Sequence, residues 1–134
     1  MINWSNSDKL SSWKKLMSLK GMVSVADELS GSNAVNRINE YCIPMGGNLK
    51  FNYAAKQVNA QILKTLSELA EEQQLVEKYE TLLNGEVINT GEKRMVLHQL
   101  TRGQLGNDVM ADGVNKREFY INEVKRIADF ANDV

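Results

Sequence analysis

Residues 85–113, GEVINTGEKRMVLHQLTRGQLGNDVMADG, contain the pattern on which the interpretation of the whole chain depends. Asn89 followed three residues later by Glu92 is typical of a capping box, in which side chains satisfy free backbone N–H groups at a helix start. Four apolar side chains then fall on more than one side of such a helix: Met95, Val96, Leu97 and Leu100. Because a helix that is apolar over most of its surface has to be buried, we predict a short helix over residues 92–101. It would form the hub on which longer amphipathic helices pack.

Composition and charge place the chain among ordinary soluble domains. At 134 residues it is long enough to bury one core, and 43% of the residues are apolar. The 16 basic and 17 acidic residues leave a formal net charge of −1. That balance gives no electrostatic reason to expect nucleic acid or an anionic membrane as a partner.

The cysteine content and the first residues indicate the cytoplasm. The single cysteine, Cys42, excludes an internal disulfide and suits a reducing compartment. The opening residues, MINWSNSDKL, lack both the basic start and the apolar core of a signal peptide. No apolar run approaches the roughly 20 residues that a membrane span needs. We therefore predict a cytoplasmic protein that binds neither nucleic acid nor membrane.

Residues 1–33 are predicted to form two short amino-terminal helices. Polar residues at positions 5–7 supply N-cap candidates for a helix over residues 7–20, which Gly21 ends. The apolar stripe of this helix has four members: Leu10, Trp13, Leu16 and Met17. Ser24, with Asp27 three residues on, is expected to start a second helix that runs to Leu29.

Residues 37–53 are predicted to form a two-stranded antiparallel hairpin, with strands over residues 37–43 and 49–53. The second strand alternates, with Leu49, Phe51 and Tyr53 on one side and polar residues on the other. The residues between the strands, PMGGN, have the composition of a turn. Because a two-stranded hairpin is marginal alone, it has to pack against helices.

Residues 57–134 are predicted to form a helical core. Apolar spacing indicates helices over residues 57–71 and 75–83, followed by the hub helix, a glycine-rich loop over residues 103–113 and a last helix capped by Asn115 with Glu118. The last apolar stripe continues to the final residue without a stop signal, which suggests a piece of something longer. The predicted fold is one domain over residues 1–134, mostly α with a small two-stranded antiparallel hairpin.

The only histidine, His98, is the first candidate for chemistry. A general base or a metal ligand needs convergent partners. The neighbours one helical turn away are unsuitable: Arg94, Met95, Thr101 and Arg102. We therefore expect a structural histidine, hydrogen-bonded within the core.

Three further motifs have plainer structural interpretations. Cys42 lies on a predicted strand among apolar neighbours, so a buried small hydrophobe is expected rather than a nucleophile. Residues 108–113, DVMADG, resemble a calcium loop only faintly, because Met110 and Phe119 occupy positions that need oxygen ligands. Gly46-Gly47 lacks the Lys-Ser or Lys-Thr of a phosphate loop and is expected to be a turn.

Acidic and aromatic residues also suggest no site. Four glutamates cluster on the two middle helices and are expected to form a solvated face: Glu68, Glu71, Glu72 and Glu77. Trp13 belongs to the apolar stripe of the first helix and is expected in the core, although it and Trp4 are candidate stacking platforms. The motifs therefore predict no catalytic residue, no cofactor-binding residue and no metal ligand.

The segment Glu92-Lys93-Arg94-Met95-Val96-Leu97-His98, followed by Arg102, resembles the Glu-x-Arg-x-Val-Leu-His-x-x-x-Arg segment of the phosphoglucose isomerase family. The resemblance continues at Asn52-Tyr53-Ala54-Ala55-Lys56, where the family usually has Asp-Tyr-Ser-Lys-Asn, and more loosely at Trp13 and residues 23–29. Three departures suggest a distant member: the alanines at 54 and 55, Gly91 where Thr is usual, and Thr101 in place of an apolar residue.

The resemblance implies a parent that interconverts glucose 6-phosphate and fructose 6-phosphate. The family uses a carboxylate base, a ring-opening histidine, an arginine near the enediol and hydroxyls on the phosphate, and these lie beyond the region matched here. His98 matches a different histidine. The chain is thus expected to be the amino-terminal part of an α/β sugar-isomerase (SIS-type) fold, a scaffold that neither binds the sugar phosphate nor catalyses, and a homodimer. A complete helical protein–protein interaction module without catalysis stays open as the alternative.

Overall fold

The structure is a computed structural model that describes residues 2–103 and 106–133. It divides into a first compact unit over Asn3–Gln73 and a second that begins at Gln74. Helices make up about half of the described residues, and the remainder includes three small antiparallel hairpins. The predicted class, mostly α with one small hairpin, is therefore confirmed for the helical content, but the structure contains two hairpins that were not predicted.

The first unit contains four α-helices and one hairpin in its described part. A short 3-10 helix over Ser7–Lys9 comes first. The remaining elements follow in order: α1 (Ser11–Ser18), α2 (Val25–Ser30), α3 (Ala34–Glu40), β1 (Cys42–Gly46), β2 (Leu49–Asn52) and α4 (Ala60–Glu72). Helices α1 and α4 pack together, and a small apolar core forms beside them from Leu19, Val23 and Ile62.

Side-chain caps fix where two of these helices begin. The Ser24 hydroxyl accepts a hydrogen bond from the Asp27 backbone N–H at 3.4 Å, as the sequence predicted for α2. The Asn59 side-chain oxygen accepts from the Ile62 N–H at 2.9 Å, so α4 begins three residues later than the apolar spacing indicated. Gly21, which was predicted to end the first helix, has φ +81°, a left-handed conformation that favours glycine.

The strand predicted over residues 37–43 is wrong, because most of this segment is helical. Helix α3 extends to Glu40, and β1 begins only at Cys42. The predicted partner strand is present as β2, and the two strands pair antiparallel, with Ile43 opposite Phe51. Within α3, the guanidinium of Arg37 contacts the chain that follows β2.

Arg37 is the main polar anchor of the first unit and is only 5% exposed. Its Nε donates to the Ala54 carbonyl at 2.9 Å, and its Nη2 donates to the carbonyls of Lys56 and Val58 at 2.9 and 3.0 Å. Nη1 faces a Glu28 carboxylate oxygen at 3.3 Å. These bonds fasten the chain between β2 and α4 to helix α3.

The second unit is built from two long helices, two short hairpins and a 3-10 helix in its described residues. Its elements follow in order: α5 (Leu75–Leu83), β3 (Val87–Asn89), β4 (Arg94–Met95), the 3-10 helix His98–Arg102, β5 (Met110–Ala111), β6 (Val114–Asn115) and α6 (Lys116–Asp133). Helix α6 packs against the 3-10 helix. Leu100 and Val109 are the most buried apolar side chains, at 1% and 2% exposed.

The predicted hub helix over residues 92–101 is wrong, and a hairpin followed by a 3-10 helix takes its place. The predicted capping contacts nevertheless form. Asn89 Oδ1 accepts from the Glu92 N–H at 3.1 Å, and Asn89 Nδ2 donates to Glu92 Oε2 at 3.3 Å. In the structure they close the turn between β3 and β4, where Lys93 has φ +53°. The same local hydrogen bonds can form in a hairpin turn and at the start of a helix. The Asn89–Glu92 motif therefore does not distinguish the two structures.

The segment predicted as a glycine-rich loop contains a third hairpin. Asp112 and Gly113 have φ +53° and +74° and join β5 to β6, which agrees with the preference of two-residue hairpin turns for Asp-Gly. Residues 104 and 105 of that predicted loop, and the predicted helix end at residue 134, lie outside the described residues. Asn115 caps α6 as predicted, by accepting from the Arg117 N–H at 3.1 Å.

We expect Arg37→Met to lower the free energy of unfolding of the first unit by about 3 kcal/mol, because three backbone carbonyls, one buried and two partly buried, lose their donor. Urea unfolding followed by tryptophan fluorescence measures this directly, since both tryptophans, Trp4 and Trp13, lie in the first unit. Lys14→Met, at an exposed position of α1, is the matched control and should change stability by less than about 0.5 kcal/mol. Equal effects of the two substitutions would contradict the anchoring role.

We expect Gly85→Ala to destabilise the second unit by about 2–4 kcal/mol. Gly85 has φ +73°, and a Cβ there would lie 2.3 Å from Val109 Cγ1. Gly91→Ala is the control, because its Cβ would meet only the Asn89 side-chain oxygen at 3.7 Å. Thermal unfolding followed by circular dichroism compares the two variants, and an unchanged midpoint for Gly85→Ala would show that the packing is looser than described.

Candidate functional site

His98 is exposed, so the predicted structural histidine within the core is wrong. It is the first residue of the 3-10 helix, and its backbone carbonyl accepts from the Thr101 hydroxyl at 2.9 Å. Within the same segment Leu100 is buried, whereas Val96 and Leu97 are half-buried. The enclosed part of the segment is therefore Leu100, and the imidazole lies at the surface.

The His98 side chain lines an open cleft of about 310 Å³ in the second unit. Helix α5 and the segment after β4 provide the walls: Tyr79, Leu82, Leu83, Val96, His98, Gln99 and Arg102. Gln99 Nε2 donates to the Leu82 carbonyl at 2.9 Å and so holds the two walls together. None of the described residues that line the cleft is a carboxylate that could act with His98 as an acid–base pair. An apolar surface beside a guanidinium suits an apolar group next to an anion.

A larger cleft, about 510 Å³, lies in the first unit between α3 and the β1–β2 hairpin. Cys42 lines it and is half-buried, not buried as predicted. The other described lining residues provide no base for the thiol: Ile38, Asn39, Pro44, Lys50 and Asn52. The Asn52 side chain donates to the Ile38 carbonyl at 2.6 Å, which gives it a structural role.

Glu72 shows that the acidic cluster is not simply a solvated face. Its carboxylate accepts from the backbone N–H groups of Ser11 and Ser12 at 3.2 and 2.9 Å, and from both serine hydroxyls. Helix α1 has no cap from its own N-cap residue, Leu10, so Glu72 caps it from α4. These hydrogen bonds, led by the one from the Ser12 hydroxyl, lower the pKa of Glu72 to about 2.

The other glutamates of the cluster have ordinary surroundings. Glu68 pairs with Lys15 at 2.6 Å, which adds a second polar link between α4 and α1. Glu71 and Glu77 are exposed, as predicted. Trp13 is half-buried and Trp4 is 45% exposed. Glu68 and Glu72 therefore link α4 to α1, whereas Glu71 and Glu77 lie at the surface.

Residues 108–113 lie in and around the β5–β6 hairpin, in which Asp112 faces the ammonium of Lys116 at 3.7 Å. Across residues 2–103 and 106–133, no group of three or more His, Cys, Asp or Glu side chains is placed to hold a metal ion. Gly46, with φ +93°, is the last residue of β1, and Gly47 and Asn48, with φ +54° and +65°, form the turn that leads into β2. In the same described ranges, no helix is long and apolar enough to cross a membrane.

The sequence did not predict that two arginines are buried, because their partners are backbone carbonyls distant in the chain. One of them is Arg37, with its three carbonyl acceptors. Arg117, at the start of α6, is 4% exposed, and its Nε donates to the Asn107 carbonyl at 2.8 Å. Its Nη1 and Nη2 have no hydrogen-bond partner among the described residues. An arginine in an amphipathic pattern is ordinarily assigned to the surface, so no sequence signal marked either one.

A family model and individual relatives both relate this chain to the same family. The family model described as phosphoglucose isomerase matches residues 52–134. A glucose-6-phosphate isomerase of Treponema denticola is 54% identical over 137 residues, which covers 99% of this chain and 26% of the relative. Those of Borrelia garinii subsp. bavariensis and Treponema pallidum are 43% and 40% identical, over 100% and 99% of this chain. The chain spans about a quarter of the length of these curated relatives.

We expect Glu72→Gln to weaken the first unit in a pH-dependent way. Because the folded-state pKa of Glu72, about 2, lies below its ordinary value of 4.5, the stabilisation is complete above the ordinary value. It is lost as the pH falls through the folded-state value. The difference in urea midpoint between wild type and Glu72→Gln should therefore be largest above pH 5 and vanish near pH 2. Glu71→Gln, at the exposed neighbouring position, is the control and should follow wild type at every pH.

Proposed function

This chain belongs to the phosphoglucose isomerase family, and from that premise we propose that it forms the amino-terminal portion of a glucose-6-phosphate isomerase. The observation that supports this most strongly is the 54% identity to the Treponema denticola isomerase over 99% of the chain. A match of that extent covers both compact units, including the first 51 residues, which lie outside the region matched by the family model.

The reaction proposed for the whole protein is the interconversion of glucose 6-phosphate and fructose 6-phosphate. It is an aldose–ketose isomerisation of glycolysis and gluconeogenesis, which we place in the cytoplasm. The remaining three quarters of the protein would supply the sugar-phosphate domain of the SIS-type fold and the groups that contact substrate. We propose that the 134 residues scaffold that domain and contribute to a homodimer.

The chemistry of the described residues supports a non-catalytic role for the isolated chain. Proton transfer between C1 and C2 needs a carboxylate base, and ring opening needs an acid–base group within hydrogen-bonding reach of the substrate. His98 lines a cleft whose described lining residues include no carboxylate. Glu72, the carboxylate with the perturbed pKa, accepts hydrogen bonds from the start of α1 and is held in a structural role.

A complete interaction module without catalysis is the second candidate. Its support is the apolar surface of the β1–β2 hairpin, where Ile43, Leu49 and Phe51 are 50%, 69% and 45% exposed. Reading the coding region past residue 134 separates the two candidates. A frame that continues into a sugar-phosphate domain supports the isomerase, and a stop codon there supports the interaction module.

We expect the purified 134-residue chain to show no conversion of fructose 6-phosphate above the buffer rate in a coupled assay. Full-length Treponema denticola isomerase serves as the positive control. Measurable turnover by the chain alone would contradict the proposed non-catalytic role.

A chimera tests the proposed position in the parent. We expect Treponema denticola isomerase whose matching quarter is replaced by this chain to keep its activity within about tenfold, because 54% identity preserves most packing contacts. The same isomerase with that quarter deleted is the control and should be inactive. A folded but inactive chimera would contradict the assignment.

A further inference from the structure

The chain contains two dipeptides at which a backbone can rearrange without an enzyme, Asn84-Gly85 and Asp112-Gly113. The backbone nitrogen of the residue after an asparagine or aspartate can attack the side-chain carbonyl carbon and close a five-membered succinimide ring. Glycine in the second position favours this attack, because it has no side chain to hinder the nitrogen and its backbone turns easily. No other asparagine or aspartate of the sequence is followed by glycine.

The structure protects Asn84-Gly85 at the end of helix α5. The Gly85 N–H donates to the Leu82 carbonyl at 3.1 Å, and Asn84 keeps nearly helical angles of φ −78° and ψ −1°. Ring closure needs the peptide between Asn84 and Gly85 to rotate, which breaks that hydrogen bond. Gly85 is also buried, and a Cβ there would lie 2.3 Å from Val109 Cγ1, so the peptide has no room to turn. Reaction at Asn84 therefore requires this part of the second unit to open first.

Asp112-Gly113 has the opposite surroundings, at the tip of the β5–β6 hairpin. The Asp112 side chain is 91% exposed, and its one ion pair within the described ranges joins it to the Lys116 ammonium at 3.7 Å. The Gly113 N–H makes no hydrogen bond to any residue that the structure describes. A Cβ at Gly113 would meet nothing within 4 Å, so this peptide has room to turn. The hairpin has only two residue pairs, so the rotation disturbs few contacts.

We propose that Asp112 is a site of spontaneous isomerisation to isoaspartate. The Gly113 nitrogen forms a bond to Asp112 Cγ, and the carboxyl OH leaves with the proton of that nitrogen as water. A second water molecule then breaks the bond between the same nitrogen and the main-chain carbonyl carbon of Asp112, which becomes the new carboxyl group. The water lost in the first step is regained in the second, so the reaction is an isomerisation that needs no other reactant.

The product changes the backbone at the point where β5 turns into β6. The chain now runs through Cβ and Cγ of residue 112, which adds one carbon to the backbone of a two-residue turn. Such a turn sets the register of its two strands, so the pairing of β5 with β6 is disrupted. Asn115, in β6, also caps helix α6 by accepting from the Arg117 N–H. We therefore expect isomerisation to loosen the start of α6 as the chain ages, whether or not the parent is an isomerase.

The variant Asp112→Asn tests the effect of the surroundings on identical chemistry. It gives the chain two Asn-Gly dipeptides, and the hairpin is expected to fold because Asn-Gly suits the same turn. Asparagine closes the same ring with loss of ammonia, so mass spectrometry of peptides follows both positions. During several weeks in neutral buffer at body temperature, we expect position 112 to deamidate at least about tenfold faster than Asn84, and the two to react at similar rates in concentrated urea. Equal rates in the folded chain would overturn the proposal.

Incubation of the wild-type chain in water labelled with heavy oxygen tests the aspartate itself. Opening of the ring incorporates one labelled oxygen, so we expect label and isoaspartate to accumulate at residue 112 and the thermal unfolding midpoint of the second unit to fall. Asp112→Glu is the control and should keep its midpoint, because its longer side chain would have to close a six-membered ring. Absence of labelled isoaspartate at residue 112 of the folded chain, or an equal fall in midpoint for Asp112→Glu, would overturn the proposal.

Discussion

The buried guanidinium of Arg37 is the constraint on which the first unit depends. Three backbone carbonyls between β2 and α4 need donors because they lie in neither a strand nor a helix, and Arg37 satisfies all three. The arginine lies outside the region that matches the family model, whereas its partners, Ala54, Lys56 and Val58, lie inside it. Arg37, which precedes the matched region, therefore fixes the backbone conformation of residues 54–58, where that region begins.

Local chemistry could be predicted from the sequence wherever a side chain acts within a few residues. The caps at Ser24 and Asn115 and the turn that follows Gly46 are of this kind. The Asn89–Glu92 contact was also predicted, but it closes a hairpin and not a helix. A local hydrogen bond specifies the conformation of three or four residues, and tertiary packing decides which element they belong to.

Long-range contacts account for what the sequence did not reveal about the candidate sites. Arg37 and Glu72 act on backbone groups 17 and 60 residues away in the chain, so no spacing rule connects them to their partners. His98 was expected in the core because the segment around it is apolar, yet Leu100 takes the buried position and the imidazole faces water.

The cap that α4 supplies to α1 has a consequence for the order of folding during synthesis. The backbone groups that begin α1 are at residues 11 and 12, whereas the carboxylate that satisfies them is at residue 72. A ribosome adding about 5–20 residues per second makes that carboxylate roughly 3–12 seconds after the serines. An eight-residue helix is too short to be stable by itself in water. We therefore expect the residues of α1 to stay unfolded in the nascent chain until α4 has been synthesised.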